Sequence, residues 1–285
     1  MMMDRRTLLR SLACGFGGAV LLNNLTRETN AAGRKKLSKI GLQLYTVRRD
    51  LERDFEGTLR KIAALGIAEL EFTSYFGQKP EAIKALLKTL KIAAPSVHIN
   101  TQTLREGLAK AIEDARIIGH KYLVLGYLPE PERKSLDDYK RLIELINKAG
   151  ENCRKAGLQF AYHNHDFEFK TLENKTPYDL ILAETDAETV KMEMDFYWIS
   201  KAGFDPLPYF EKYPKRFPLV HVKDMDATAK KYFTEVGRGT VDFKKYFSKA
   251  SLAGIRHYFI EQDETPAEPI KSIEISLKYL KELRF

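Results

Sequence analysis

The chain contains 285 residues, enough for one large domain or two small ones, and its 44% hydrophobic and 30% charged residues are typical of an ordinary soluble globular protein. The formal net charge is +8, but the sequence has no long run of Lys and Arg with interleaved aromatic residues, so a nucleic-acid-binding surface is not indicated. Of the two cysteines, Cys14 lies in the N-terminal segment described next, which leaves Cys153 without an internal disulfide partner.

The first 33 residues differ in composition from the rest of the chain. The pair Arg5-Arg6 precedes a short apolar run, Ser11–Leu22, and a polar stretch, Asn23–Gly33. Paired arginines before a weakly hydrophobic, glycine-rich segment are typical of a bacterial twin-arginine export signal, and the apolar run is too short to span a bilayer. We therefore expect residues 1–33 to be an export signal and linker that engages the twin-arginine machinery, and residues 34–285 to be a periplasmic domain without membrane contact. The alternative is a disordered tail that happens to contain two arginines.

Beyond this segment, short runs rich in β-forming residues alternate with longer amphipathic runs. The predicted strands are Ile40–Tyr45, Ile67–Phe72, Ile92–His98, Tyr122–Leu125, Gln159–His163, Val190–Asp195, Leu219–Lys223 and His257–Glu261. The predicted helices are Phe55–Leu65, Pro80–Leu90, Leu104–Gly119, Leu136–Ala156, Tyr178–Glu184, Leu207–Tyr213, Phe243–Ala250 and Ile270–Leu283.

Eight strand–helix units in about 250 residues predict an α/β fold, a single-domain (β/α)8 TIM barrel. The competing fold is an open doubly wound sheet. Such a sheet usually carries a glycine-rich phosphate loop after its first strand, whereas Tyr45–Arg48 contains no glycine.

Most of the histidines fall on the side of the predicted barrel where active sites form, at the carboxyl ends of the strands. His98, His163, His165 and His221 lie at or near these ends, and His120 and His257 lie at strand starts on the opposite face. Period-two alternation places His163 and His165 on the same side of one strand, with Glu168 just beyond. Such a group can bind metal or carry protons, and a pair of hydrogen-bonded histidines is the alternative.

The next three strands also end in polar side chains that face one level of the barrel, namely Asp195, His221 and Glu261. Imidazole and carboxylate ligands together suit Mn²⁺, Co²⁺, Fe²⁺ or Zn²⁺. We therefore predict one divalent metal ion, bound by the four side chains His163, Asp195, His221 and Glu261. The alternatives are structural: a salt bridge at Asp195, a core hydrogen bond at His221 and a helix cap at Glu261.

These residues resemble the xylose-isomerase-like barrel superfamily of sugar isomerases and epimerases, which also contains inosose dehydratase, hydroxypyruvate isomerase and endonuclease IV. The likeness is greatest to an exported branch of sugar phosphate isomerase/epimerase proteins and runs from Lys39 to Phe285. It is carried by Tyr162–Phe169, Asp195–Trp198, His221–Asp224, Val236–Gly239, Val241–Phe243 and Glu261–Asp263. The family holds its metal with Glu, Asp, His and Glu from strands five to eight. The resemblance therefore implies that Asp195, His221 and Glu261 match the last three ligands.

The chain departs from the family on the fifth strand, where His163 stands in place of a glutamate and Glu168 lies further out. In the epimerases the two metal-bound glutamates also move the proton between sugar carbons, so this substitution counts against a simple two-base epimerase. A His-x-His on this strand resembles the inosose dehydratase pattern. Elimination of water from a keto-sugar is therefore the alternative reaction.

The resemblance implies a divalent-metal-dependent isomerase or epimerase that removes a proton next to the carbonyl of a keto-sugar and passes through an enediolate. Glu261 is the expected proton-transfer group on one side. His163, His165 or Glu168 would act from the other side. Lys223 would steady the oxyanion or, alternatively, form a salt bridge at the mouth. An endonuclease IV-like nuclease and a non-catalytic sugar-binding barrel are further alternatives.

Other side chains near the strand ends are expected to contact the sugar, namely Tyr45, His98, Tyr127, His165, Trp198 and Arg238. Aromatic faces can stack on a sugar ring, although packing under loops is their commoner fate. Arg238 lies in a turn, Gly237–Gly239, whose backbone amides could hold an anion or form a plain turn. The expected partner is a small carbohydrate. The sequence leaves its phosphorylation, the identity of the ion and a homo-oligomeric state open.

Overall fold

The computed structural model describes residues 35–266 and 268–285. The predicted export signal, residues 1–33, lies outside the described residues. In the described part of the chain, eight parallel strands close into a barrel with helices around it. The predicted TIM barrel is therefore confirmed.

Eight strands form the barrel, and two more form a hairpin after the seventh. The barrel strands are Gly41–Gln43 (β1), Glu69–Phe72 (β2), Ala93–Ile99 (β3), Tyr122–Leu125 (β4), Gln159–His163 (β5), Val190–Asp195 (β6), Leu219–Val222 (β7) and His257–Ile260 (β10). The antiparallel hairpin consists of Asp224–Met225 (β8) and Phe233–Thr234 (β9). The barrel closes in the order β1-β10-β7-β6-β5-β4-β3-β2.

The α-helices are Arg48–Arg53, Phe55–Ala64, Pro80–Leu90, Leu108–Ile118, Leu136–Lys155, Pro177–Glu184, Phe196–Lys201, Pro206–Lys212, Phe243–Ser248, Ala250–Ala253 and Pro269–Glu282. The longest begins at a capping box, in which Ser135 and Asp138 each bond the backbone N–H of the other. Among the described residues, no helix combines the length and the apolar character that a membrane span requires.

Several local features differ from the sequence prediction, and two of them adjoin the cavity described below. The predicted helix Leu104–Gly119 is a π-helical turn, Thr103–Gly107, followed by the α-helix Leu108–Ile118. The short helix Phe196–Lys201 was not predicted. It starts directly after β6 because the side chain of Asp195 accepts a hydrogen bond from the backbone N–H of Trp198 at 2.9 Å.

The interior of the barrel contains an apolar plug formed by Tyr122, Val124, Ala161, Leu219 and Phe259. A second, larger cluster fills the space between the strands and the surrounding helices. The strands are therefore buried on both faces, as expected for a parallel sheet covered by helices.

Candidate active site

The strand register brings the polar ends of β5, β6 and β7 to one level. His163 is in register with Glu193, and Asp195 is in register with His221. These ends open into a cavity of about 960 Å³, whose lining includes His98, His163, His165, Trp198, Lys223, Glu261 and Asp263. A cavity of this size at the carboxyl ends of a barrel is the expected place for an active site.

The four predicted metal ligands lie together at the centre of this level. His221 Nδ1 is 3.0 Å from Glu261 Oε2 and 3.6 Å from Asp195 Oδ2. His163 Nε2 is 4.0 Å from the same Asp195 oxygen. All four side chains are buried. Three of the four, Asp195, His221 and Glu261, have ligand atoms within 4.8 Å of one another, whereas His163 groups with His98, Glu193 and His221.

The two carboxylate oxygens of Asp195 have different surroundings. Oδ1 accepts the hydrogen bond from Trp198 N that starts the following helix. Oδ2 faces His163 and His221, lies 3.9 Å from Lys223 Nζ, is buried, and accepts no hydrogen bond from the described residues. A buried carboxylate oxygen without a donor is costly unless a cation satisfies it, so this atom is suited to a metal ion.

A second group of titratable side chains lies on the other side of His221. His98 Nε2 is 2.7 Å from Glu193 Oε2 and 3.2 Å from Glu71 Oε1. His221 Nε2 is 2.7 Å from the same Glu71 oxygen and 3.3 Å from Glu193 Oε2. Glu71 also accepts hydrogen bonds from Gln43 at 2.8 Å and from a serine of β3, Ser96, at 2.5 Å.

Among the residues that the structure describes, two groups of side chains could hold a metal ion: Asp195, His221 and Glu261, and His98, His163, Glu193 and His221. Atoms bound to one ion at about 2.0–2.2 Å lie roughly 3 Å or more apart, and the separations of 3.0 and 3.6 Å from His221 Nδ1 in the first group allow this. The 2.7 Å separations at His98–Glu193 and His221–Glu71 are hydrogen-bond distances instead. With Nε2 of His221 donating to Glu71, its Nδ1 is the nitrogen that can bind a metal. The donor set of Asp195, His221 and Glu261, whose ligand atoms all lie within 4.8 Å of one another, therefore fits a divalent ion, and His163 lies beside it, 4.0 Å from Asp195.

The charges of the histidines follow from their neighbours. Burial opposes ionisation of His221, but Glu193 and Glu261 raise its pKa well above the usual value. A metal ion bound at Nδ1 of His221 would replace the proton that this nitrogen carries when the ring is charged. His163 has the opposite balance, because burial and the positive charge of His221 lower its pKa well below the usual value. Its neutral ring is the form that can act as a ligand.

His98 was predicted to contact the substrate, and it does line the cavity. Although burial opposes its charge, Glu71 and Glu193 raise its pKa to about 10. Sequence analysis missed Glu71 and gave Glu193 no role. The sequence did contain a signal for Glu71: acidic residues recur at positions 69 and 71 of a predicted strand, where apolar side chains are expected.

Lys223 is a buried cation above the ligand set. Its Nζ is 2.5 Å from Asp263 Oδ1, 3.1 Å from Glu261 Oε2 and 5.0 Å from the ring centre of Trp198. Burial acts to lower the pKa of Lys223, but the negative charges of Glu261 and Asp263 outweigh burial and raise that pKa above its usual value. The ammonium therefore stays charged. Lys223 therefore forms its salt bridges inside the cavity.

Asp263 is a site residue to which sequence analysis gave no role. It lines the cavity beside Lys223. Burial raises its pKa to about 6; Lys223 acts in the opposite direction, and the charge of Glu261 adds to the increase. The pKa of Glu261 is lowered instead, because Lys223 and His221 outweigh its burial.

The predicted sugar-binding aromatic residues form one wall of the cavity. His165 stacks on Phe167 with ring centres 5.3 Å apart, and its ring lies 5.2 Å from those of Trp198 and Tyr127. Burial and the charge of Lys223 lower the pKa of His165 to about 3, so the ring is neutral. Tyr45, the remaining aromatic residue of this prediction, also lines the cavity.

The structure does not bring Glu168 to the cavity. Its carboxylate is buried and accepts hydrogen bonds from Tyr162 Oη at 2.7 Å and from the backbone N–H of His165 at 2.8 Å. The chain leaves the strand after His163, so period-two alternation no longer applies at position 168. The prediction of a proton carrier at Glu168 is corrected: the residue fixes the backbone of His165.

Arg238 also lies away from the cavity. Its side chain is 56% exposed and pairs with Glu235 at 3.4 Å. The backbone amides of Gly237 and Gly239 donate to Asp224 Oδ2 at 2.9 and 3.0 Å. Of the two interpretations of this turn, the plain turn fits these bonds, because a carboxylate of the chain itself already occupies the amides; the expected substrate contact of Arg238 is not seen.

Comparison with known proteins agrees with the observed fold. A sequence model of the family described as xylose isomerase-like TIM barrel matches residues 59–283. An inosose dehydratase of Lacticaseibacillus casei is 24% identical over 268 residues, which cover 80% of this chain and 89% of the relative. A sugar phosphate isomerase/epimerase from Parabacteroides distasonis has a crystal structure with a TM-score of 0.75 and 27% identity, covering 88% of this chain and 94% of that one.

A structure of the IolI protein with a zinc atom shares the fold, with a TM-score of 0.67 at 12% identity over 84% of this chain and 95% of that one. These similarities extend over most of each chain, and the family model alone spans far more than half of the sequence. The chain belongs to the xylose isomerase-like TIM barrel family.

Proposed function

We propose that the protein is a divalent-metal-dependent lyase that removes the proton next to the carbonyl of a keto-sugar and then expels an oxygen substituent from the adjoining carbon. The observation that carries this proposal is the one-sided placement of the charged groups. Glu261, Lys223 and Asp263 lie together after β7 and β10, whereas β5 presents imidazoles. The sequence interpretation put isomerisation first, and the arrangement of the side chains favours elimination.

The metal would be held by His163, Asp195, His221 and Glu261. Once bound, a divalent ion supplies Lewis-acid polarisation of the carbonyl oxygen, which makes the neighbouring C–H bond more acidic. The orphaned Oδ2 atom of Asp195 and the fixed ring of His221 support this assignment.

Three charged residues of the cavity carry out the proton transfers and stabilise the charge that forms. Glu261 accepts the proton from the carbon next to the carbonyl. The ammonium of Lys223, in contact with both carboxylates, stabilises the negative charge that develops on the carbonyl oxygen. Asp263 lies beside Lys223 in the cavity, where it can return a proton to the departing hydroxyl. The hydroxyl then leaves as water, and a carbon–carbon double bond forms next to the carbonyl.

The side chains that follow β5 are the reason why epimerisation is the second candidate. An epimerase returns the proton to the opposite face of the same carbon and so needs a proton carrier there. Glu168 is turned away, and Asp166, which does line the cavity, is 3.9 Å from Lys170. His165 remains as an imidazole in the cavity. The likeness to the P. distasonis protein supports this second candidate, and the likeness to inosose dehydratases supports the first.

We propose in addition that residues 1–33 direct export. Fusing them to a folded reporter should place the reporter in the periplasm of a bacterium with a twin-arginine system, because the Arg5-Arg6 pair precedes a weakly hydrophobic segment. Replacing both arginines by lysine keeps the charge and should block export. Equal export of the two fusions would contradict the assignment.

The ligand assignment predicts the metal content of variants. Elemental analysis of protein purified without chelator should find about one divalent ion per chain, and much less in Asp195→Asn and Glu261→Gln. Asp195→Asn keeps the oxygen that caps the helix. Glu71→Gln removes no ligand but weakens the hold on His221, so its metal affinity should fall about 10–100-fold.

His257→Gln is the matched control. His257 bonds Glu69 at the opposite end of the barrel, so its replacement should leave the metal content unchanged. Full metal content in Asp195→Asn and Glu261→Gln would contradict the ligand set.

The reaction predicts a product of defined mass. A panel of keto-sugars and keto-inositols in deuterated water should exchange the proton next to the carbonyl and yield a product lighter by one water. Chelation of the metal should abolish both events. Lys223→Met should lower kcat about 10²–10³-fold, because the oxyanion loses its cation. An isomer of unchanged composition would select the second candidate instead.

A further inference from the structure

The cavity continues well beyond the side chains that surround the proposed metal site. Thr103, Gly107, Lys110, Ala111 and Asp114 line it at intervals of four, three, one and three residues. This spacing marks one face of the π turn and of the helix Leu108–Ile118. The twelve residues from Thr103 to Asp114 extend roughly 16 Å along the helix, which is longer than one sugar ring.

Three residues that follow β2, namely Thr73, Ser74 and Tyr75, line the same cavity. We call the part of the cavity lined by these two groups the outer compartment; its lining is Thr73, Ser74, Tyr75, Thr103, Gly107, Lys110, Ala111 and Asp114. The end of β3 joins it to the reaction centre, because His98 and Asn100 line the same cavity. The total volume of about 960 Å³ is near the top of the roughly 300–1,000 Å³ range of small-molecule sites.

The chemistry of the outer compartment is that of neutral hydroxyl recognition. Its walls offer the hydroxyls of Thr73, Ser74 and Tyr75. Its two charged residues, Lys110 and Asp114, pair with each other. Tyr75 stacks on the buried ring of a histidine, His120, with an angle of 3° between the planes, which holds the tyrosine ring in place. Such walls suit a polyhydroxylated, uncharged occupant.

We infer that the outer compartment binds a second sugar ring, so the substrate is a keto-sugar glycoside and the expelled group is this second sugar rather than water. This inference rests on the proposed function. The base takes the proton from the carbon between the carbonyl and the anomeric carbon. The electrons of that C–H bond form the C=C bond, and the anomeric C–O bond breaks. The glycosidic oxygen keeps the bonding pair, takes up a proton and leaves as a free hydroxyl. No oxidant or reductant is consumed.

The wild-type enzyme provides the first test, with the metal-loaded full chain, a disaccharide carrying the carbonyl two carbons from the anomeric carbon, and the matching keto-monosaccharide. The disaccharide should have a kcat/KM at least about tenfold higher, and its reaction should release the second sugar. A p-nitrophenyl glycoside of the same keto-sugar tests for an aromatic occupant. Equal or better turnover of the p-nitrophenyl compound would overturn the assignment to a second sugar.

A matched pair of variants provides the second test. Ala111→Phe fills the outer compartment, whereas Ala109→Phe adds the same side chain at an exposed position of the same helix that does not line the cavity. Ala111→Phe should lower kcat/KM for the disaccharide about tenfold or more, and by a clearly larger factor than it lowers proton exchange of the monosaccharide. Ala109→Phe should change neither.

The outcomes separate this inference from the proposed function. Equal turnover of both substrates by the wild type, or equal loss of both in Ala111→Phe, would overturn the second-ring subsite. Proton exchange of the monosaccharide would then still support the proposed function. A wild type that exchanges no proton of either compound contradicts the proposed function and this inference with it.

Discussion

The site depends on one buried imidazole ring that is held from both sides. His221 faces Glu71 with Nε2 at 2.7 Å and Glu261 with Nδ1 at 3.0 Å. Both carboxylates are buried, and a buried charge is tolerated only when it is paired and hydrogen-bonded. Glu71 meets this condition through Gln43 and Ser96. The ring orientation is therefore fixed by the barrel itself, and the metal-facing nitrogen is set by hydrogen bonds on the far side of the ring.

The two halves of the closed barrel have different roles in the site. Strands β5, β6, β7 and β10 supply the proposed ligands and proton carriers, whereas β2 and β3 supply the hydrogen-bonded base beneath them and one wall of the cavity. The helix Leu108–Ile118 and the turn before it line the cavity and supply none of the proposed ligands. Substrate preference can therefore change through this wall while the chemistry at the centre stays the same, which is how one barrel serves many reactions.

Much of this could be predicted from sequence because it depends on local periodicity. The bounds of β4, β5 and β6 agree with the predicted ones, and the polar residues at strand ends meet because parallel strands share one edge. The role of Glu71 could not be predicted, because 150 residues separate it from His221 and both faces of a barrel strand are buried. Glu168 was misplaced for a different reason: a 3₁₀ turn follows β5, so the strand period ends before it.

The central claim is that one ion binds on the Nδ1 side of His221. Anomalous diffraction from crystals of manganese-loaded protein, measured on both sides of the metal absorption edge, tests it directly. We expect a single peak within about 2.0–2.4 Å of His221 Nδ1, Asp195 Oδ2 and Glu261 Oε2, with Nε2 still bonded to Glu71. A peak on the Nε2 side, between His98 and Glu193, or no peak among these residues, would contradict the account.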